Sequence, residues 1–285
     1  MVTDRRSFLL TCLAAQRALS QDARITASEV VERIKKNVGV PWRAQTVDTF
    51  KTGNPETIVT GIATSFGGTL DVLRRAAASG KNFIVVHEPT FYSHQDETKD
   101  LNSEIYRAKQ DFIDKHKLVV FRFHDHWHAH RPDGVVTGVI EELGWDKYRS
   151  QENPRRYVLP ATTLGKLAAD IRDRMKIKAL RVIGDPQLPV SRLTFSPGYT
   201  TLPVFTRAFD AEDVDVLVMG ETQEWTGVEL ARDSVTLGRK KGLIILGHVP
   251  SEEAGMKECA KWLKTFVPEV PIEFIPSGEP FWIPK

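Results

Sequence analysis

The apolar runs of this chain and the way they end constrain its fold more than any other feature. Asn82–Val86, Leu118–Phe123 and Gly242–Gly247 are short and almost wholly apolar. Each runs straight into histidine: His87-Glu88, His124-Asp125-His126-Trp127-His128, and His248 with Glu252 four residues on. Apolar runs of this length read as buried strands. Between and around them, Ile25–Val38, Leu70–Ala78, Ser103–Lys115, Val135–Leu143, Thr163–Met175, Thr226–Gly238 and Pro250–Thr265 read as helices, several with a capping residue before them or a glycine after. Further strands are predicted at Thr57–Thr64, Tyr157–Pro160, Leu180–Ile183, Arg192–Phe195, Val214–Met219 and Val270–Ile275. Strand alternating with helix predicts an α/β protein with largely parallel pairing. In such a sheet the carboxyl ends of the strands line the ligand crevice. Three separated segments therefore deliver imidazole and carboxylate to one edge, and with His130, two residues past the second, they account for six of the eight histidines.

With 285 residues, 41% of them hydrophobic and 27% charged, the chain can bury one large core or two smaller ones. Its two cysteines, Cys12 and Cys259, exclude a disulfide framework and a cysteine-based zinc cluster. No apolar run reaches the roughly 18–20 residues that span a bilayer, so no integral membrane segment is expected. Outside residues 1–20, basic and acidic side chains are equal in number. No basic and aromatic platform occurs either, so nucleic acid is not an expected partner.

Met1–Ser20 reads as an address. Arg5-Arg6-Ser7-Phe8-Leu9 resembles a twin-arginine export signal, with Phe8–Ala15 as its apolar core and Ala18-Leu19-Ser20 as a small-residue cleavage site. On that reading the protein is periplasmic or otherwise exported; if the segment is a first helix instead, it is cytoplasmic. The remainder divides into an N-terminal α/β lobe at 21–149, a small insert of different character at 150–190, and a C-terminal α/β lobe at 191–285.

The last histidine segment is the simplest. His248 ends a strand, and Pro250 sits near the first turn of the next helix, where its missing N–H costs least. Glu252 lies in that turn, so imidazole and carboxylate reach one point above the strand end, a normal donor pair for Zn, Mn, Fe or Co. His87 ends a fully apolar strand and must find a partner there. His124–His130 has histidine at every second position and reads in two ways. Extended, His124, His126, His128 and His130 share one face, with Asp125 on the other. Helical, His124 and His128 meet at i, i+4. At least one ligand is expected from the segment, the remaining histidines orienting ligands by hydrogen bonds. Asp133-Gly134 reads as a turn before the next helix. Glu221 and Glu224, after strand Val214–Met219, are expected at the same edge as a general base or substrate contact.

These residues resemble the Nif-three-like dinuclear metal centre family, also called the GTP cyclohydrolase type 2 homologues. That family carries His-His-Pro after a first-lobe strand, a central His-Thr-Asn-Leu-Asp, and near its end Gly-His with Glu four residues on. Gly247-His248 with Glu252, and Gly255 downstream, fits the last motif. Val86-His87-Glu88-Pro89 fits the first, with Glu88 in place of the second histidine. In the centre, His124 falls on the family's histidine and His128 on its aspartate; Asp125 is the carboxylate near enough to replace that aspartate. Gly61–Ala78 and Val214–Gly247 resemble the family as well, with an interruption near 150–190. The resemblance implies a two-lobed α/β fold with mixed, largely parallel sheets and two divalent metal ions per chain between the lobes. It also implies a homo-oligomer, often a toroidal hexamer. The expected ligand set is drawn from His87, Glu88, His124, Asp125, His128, His248 and Glu252, with Glu88 bridging the ions.

The leading expectation is a metal-dependent hydrolase with a small-molecule substrate, two ions activating water and polarising the bond under attack, and Glu221 or Glu224 relaying protons. The alternative, from another class, is a metal-binding assembly module without turnover, the ions stabilising the join between lobes. The family name suggests purine nucleotide ring opening. Yet the chain has no G-x-x-x-x-G-K-S/T phosphate loop and no strand-linked G-x-G-x-x-G, and an exported protein meets little GTP. Another ester, amide or phosphate substrate is therefore expected.

Overall fold

The computed structural model describes residues 24–284; the export-signal reading of residues 1–20 lies outside them. Helix α1 (Ala27–Asn37) starts with a reciprocal cap. The Thr26 hydroxyl accepts from the Glu29 N–H, and the Glu29 carboxylate accepts from the Thr26 N–H. Its apolar stripe, Val30, Val31 and Ile34, packs on the first of two sheets.

That sheet has the order β1-β4-β3-β2-β10, from β1 (Phe50–Thr52), β2 (Ile62–Gly67), β3 (Phe83–Glu88), β4 (Val119–Arg122) and β10 (Ile272–Phe274). Only β1 is antiparallel to its neighbour. The three central strands, β2, β3 and β4, are buried on both faces, as parallel strands covered by helices are. Phe83 and Val85 face the core beneath α1, while Ile84 and Val86 face α2 (Leu70–Ala78) and α3 (Glu104–Lys115). β2 starts later than Thr57–Thr64 predicts, because Val59 and Thr60 lead into it as irregular chain.

The second sheet has the order β5-β7-β8-β9-β6, from β5 (Arg156–Thr163), β6 (Arg181–Ile183), β7 (Pro189–Tyr199), β8 (Val216–Glu221) and β9 (Gly242–Ile245). β7, β8 and β9 are parallel at the centre, and β5 and β6 are antiparallel at the two edges. The segment 150–190, expected as an insert, is thus built into the second lobe. It supplies both edge strands and α6 (Leu164–Met175), whose Leu164, Leu167 and Ile171 share a core with Leu193 and Val218. Its sequence differs in character because edge strands are partly exposed. The last strand also departs from expectation: β10 crosses back to pair in parallel with β2 of the first sheet.

A long helix joins the lobes. α9 (His248–Lys264) sends Met256, Cys259 and Leu263 into the first core and Ala254 into the second. It crosses α5 (Gly134–Leu143) at backbone contact. A Cβ on Gly138 would lie 2.3 Å from the Ala254 carbonyl oxygen, and one on Gly255 would lie 2.4 Å from Val135 Cα. Glycine at both positions lets the first turns of α9 reach the carboxyl ends of both sheets. On the far face of the second sheet, α7 (Leu202–Phe209) and α8 (Glu229–Thr236) cover Leu217, Met219 and Leu243. Among the described residues no helix is long and apolar enough to cross a membrane.

Candidate metal centre

Six side chains from three junctions converge between the lobes. His87 and Glu88 end β3, His124 and His128 bracket the short helix α4 (Asp125–Ala129), and His248 and Glu252 form the first turn of α9. Glu252 Oε2 lies 3.4 Å from His87 Nε2 and 3.2 Å from His248 Nε2, and Glu252 Oε1 lies 3.8 Å from His128 Nε2. Glu88 Oε1 lies 3.4 Å from His124 Nε2 and 3.5 Å from His248 Nε2. The ligand atoms of His87, His124 and His128, and those of His87, Glu88 and Glu252, fall within 4.8 Å of one another. Donors about 2.1 Å from a tetrahedral divalent ion are roughly 3.4 Å apart, which is the spacing of most of these pairs. His87 Nε2 and Glu252 Oε2 are buried and face each other, yet neither makes a hydrogen bond among the described residues. Two orphaned buried donors at that separation fit a cation between them.

The backs of the imidazoles support the same reading. Nδ1 of His87 meets the Phe123 carbonyl at 3.3 Å, that of His124 meets Asp125 at 2.9 Å, that of His128 meets Asp133 at 3.2 Å, and that of His248 meets Glu221 at 3.0 Å. In all four rings an oxygen holds the Nδ1 side, which fixes the tautomer and turns the Nε2 lone pair inward. Burial opposes charge on His248, but Glu221, Glu252 and Glu88 outweigh it and push its pKa up to about 12. Burial likewise opposes charge on His124, and Asp125 with Glu88 pushes it up to about 9. His87, wholly buried, is pushed down, because desolvation outweighs Glu252. Burial works against both carboxylates, yet the surrounding imidazoles hold Glu88 and Glu252 below the usual carboxylate range. Two buried, ionised carboxylates among imidazoles form a donor set that could hold a divalent cation once those imidazoles give up their protons.

The helical reading of His124–His130 is the one realised: the His128 N–H donates to the His124 carbonyl at 3.0 Å. Asp48 imposes it, its carboxylate accepting from the N–H groups of His124, Asp125 and His126 at 2.7–2.9 Å. His126 points away from the centre. Its Nδ1 donates to Asp48 at 2.6 Å, its Nε2 accepts from the Arg43 N–H at 2.9 Å, and the ring stacks on Trp42. His130 donates to the Pro132 carbonyl.

Two expected site residues stand elsewhere. Asp125, expected among the ligands, lies behind His124, where it also accepts from the Thr46 hydroxyl at 2.8 Å; the turn of α4 carries it to the Nδ1 side. Glu224, expected beside Glu221, pairs with Arg181 at 2.7 Å on the surface. A single π turn at Glu224–Val228 carries the chain away from the site. Glu221 itself holds His248 from outside.

Sequence reasoning missed three contributors. Asp133 does more than make a turn: it caps α5 and holds His128. Arg122 is buried beneath the centre, donating to the His87 carbonyl at 2.9 Å and pairing with Glu88 Oε2 at 3.0 Å. A lone arginine inside an apolar run was its only sign. His94 lines the cleft next to His124, their rings 5.9 Å apart. Gly198, at φ 65°, lets β7 pass the centre, since a Cβ there would lie 2.2 Å from Glu252 Oε1. The donors open onto a cleft of about 720 Å³ between the lobes, which Glu88, His124, His128, His248 and Glu252 line at one end.

Comparison with known proteins agrees with this fold. The model of the family Duf34/NIF3 (NGG1p interacting factor 3) matches residues 25–280. Among solved structures, the hypothetical protein SA1388 of Staphylococcus aureus superposes with a TM-score of 0.73 at 17% identity, over 91% of this chain and 99% of that one. A Bacillus cereus protein related to NIF3 superposes with a TM-score of 0.73 at 14% identity, over 92% and 100%. Reduced HcgD from Methanocaldococcus jannaschii superposes with a TM-score of 0.59 at 15% identity, over 88% and 98%. No curated protein matches the chain in sequence. With a match that runs from α1 past β10, and the fold shared by these neighbours, the chain belongs to the Duf34/NIF3 family.

Proposed function

We propose that the protein is a metal-dependent hydrolase holding two divalent ions on His87, Glu88, His124, His128, His248 and Glu252. The observation that carries this reading is the opening of the donor cluster onto the cleft. Structural metal sites close their coordination, whereas catalytic ones keep a face open to water and substrate. Ions held there would supply Lewis acidity, lowering the pKa of water towards about 7 and polarising the bond under attack. The protein's own contribution is positional. Asp125, Asp133 and Glu221 hold the Nδ1 protons of His124, His128 and His248, and so keep Nε2 aimed inward. Arg122 holds Oε2 of Glu88, leaving Oε1 free between His124 and His248, where it would serve as a ligand. His94, outside the donor set and lining the cleft, takes up or returns the proton.

The test is elemental analysis of the full chain purified without chelator, followed by a panel of 4-nitrophenyl esters and phosphoesters. About two equivalents of transition metal per chain are expected, with hydrolysis lost on chelation and restored by metal. Full occupancy with no metal-dependent hydrolysis would favour the assembly module. The homo-oligomer belongs to the same proposal. The exposed run Phe281–Ile283 offers it apolar surface, and sedimentation of the full chain reads it directly. Export by the twin-arginine route is the corresponding proposal for location, read by cell fractionation.

A further inference from the structure

The wall of the cleft facing the metal donors has the opposite chemistry. Arg155, Arg156 and Arg207 line it together with Asn153, Thr194 and Ser196, while the acidic lining, Glu88 and Glu252, is confined to the donor end. The fold explains why polar groups occur there. Arg156 and Thr194 are paired neighbours across β5 and β7, and each alternates with residues of the second core: Tyr157 follows Arg156, and Leu193 and Phe195 flank Thr194. Both therefore project from the sheet face opposite that core, at the edge not covered by the apolar side of α7.

Two atoms on this wall are orphaned. Thr194 Oγ1 and Arg156 Nη1 are buried, and neither makes a hydrogen bond among the described residues. Arg156 Nη1 has a carboxylate, Asp213, 3.1 Å away but not aligned as an acceptor, and Asp213 is largely exposed to water. Arg155 stands 3.9 Å from Asp133, which is already committed to His128. A buried hydroxyl with no partner, beside a buried guanidinium nitrogen whose one anion is an exposed and misaligned surface carboxylate, and flanked by two further arginines, is open to what an oxyanion provides.

We infer that this wall binds the oxyanion group of the substrate, a phosphoryl or carboxylate group, through Arg156 and Thr194, with Arg155 and Arg207 at the mouth. The inference rests on the hydrolase reading for the word substrate, but not for the binding itself. Along β7, Thr194 precedes Gly198, which abuts Glu252, by four residues. At about 3.3 Å per residue, the anion sits on the order of 10 Å from the metal donors. The substrate therefore carries its charge well away from the bond that is attacked. The charged group is a handle, not the reacting centre.

The experiment titrates phenyl phosphate and benzoate by calorimetry into the metal-stripped full chain, so that no ion at the donor end can capture them. Binding of either probe is expected, and the tighter one identifies the group. Arg156→Gln should weaken it roughly tenfold or more, the loss of a charged hydrogen bond. Thr194→Val should weaken it about threefold, and so should Arg207→Gln on the exposed face of α7, where folding is not at risk. His248→Ala, at the donor end, should leave it within about twofold. Absence of binding by the wild type, or an unchanged affinity in both Arg156→Gln and Arg207→Gln, overturns the inference. Because the measurement contains no metal, it stands or falls separately from the metal-dependent hydrolase.

Discussion

The strand ends at His87 and His248 and the stretch from His124 to His130 bring imidazoles to the same point by different means. At the first two, the sheet itself is the positioning device: His87 is the last residue but one of parallel strand β3, and β9 runs out through Leu246 and Gly247 into His248. In the third, local chain does not decide. A five-residue helix has too few internal hydrogen bonds to hold itself, and α4 exists because Asp48, far away in sequence, accepts from three of its first N–H groups. Trp127 then pins it, donating to the Gly255 carbonyl at 3.1 Å inside the first core. Strand-end ligands should be robust to change elsewhere, and the α4 ligands should depend on what surrounds them.

Removing a strand-end donor gives the largest effect. His248→Ala should reduce bound metal to background, and Glu252→Gln should do the same, with the circular dichroism of the folded chain kept in both. Glu252 is buried between two imidazoles, so the conservative amide keeps its volume while losing the anionic ligand. Full occupancy in both variants would remove them from the centre.

Within α4, adjacent histidines should behave in opposite ways. His126→Ala deletes a buried and a part-buried hydrogen bond and a stacked ring, so a loss of about 2–4 kcal/mol is expected, with metal still bound by the folded fraction. His128→Ala, at a side chain partly exposed on the cleft, should lower metal affinity and leave the denaturation midpoint of the metal-free chain nearly unchanged. If both variants lose metal and neither loses stability, the two faces of α4 have been misassigned.

The same contrast explains what was legible in the sequence. The ends of β3 and β9 could be read because apolar runs ending in His are strand signals and parallel strands share an edge. The choice between extended and helical forms of His124–His130 could not, since it is made by Asp48 and by packing of Trp127. Alternate histidines even pointed towards the wrong period. Asp125 was expected as a ligand for want of another carboxylate, but i, i+4 geometry gives the inward positions to His124 and His128 and turns Asp125 outward. The segment 150–190 was set apart because strands exposed at a sheet edge lose the apolar signature of those beside them. Arg122 was hidden in the opposite way: its charge lies inside a buried strand, answered by Glu88 from the neighbouring one.

The carboxylates behind α4 should show smaller effects than the ligands themselves. Asp125→Asn and Asp133→Asn each remove a charged acceptor from a ligand's Nδ1 while leaving the ligand in place, which costs roughly 10–100-fold in metal affinity. Competition against a fluorescent zinc chelator measures it. Asp133→Asn should carry an additional small loss of stability, because Asp133 also accepts from Val135 and Val136 at the start of α5. An Asp125→Asn variant as defective as His248→Ala would restore Asp125 to the ligand set.

The finest distinction among these imidazoles lies in their protons, and it cuts across the two kinds of junction. In the metal-free chain, His124 titrates up at about 9 and His248 at about 12, so both are charged at neutral pH, whereas burial keeps His87 neutral. A metal ligand must be the neutral imidazole, so ion uptake has to expel the protons of His124 and His248 but none from His87. Calorimetry in buffers of different ionisation enthalpy should therefore report release of about two protons per chain at pH 7. The sign follows: raising the pH lowers the work of deprotonation, so apparent metal affinity rises with pH, steeply below about 9 and at about half that slope above it, where His124 is already neutral and only His248 still releases its proton. His248→Ala should halve the release for whatever metal it still takes up at high concentration. Asp125→Asn should lower the pKa of His124, and with it the proton release at pH 8, while leaving the contribution of His248 intact. Release of no protons at pH 7 would mean that His124 and His248 are as neutral as His87, and that the carboxylates around them do not hold their charge.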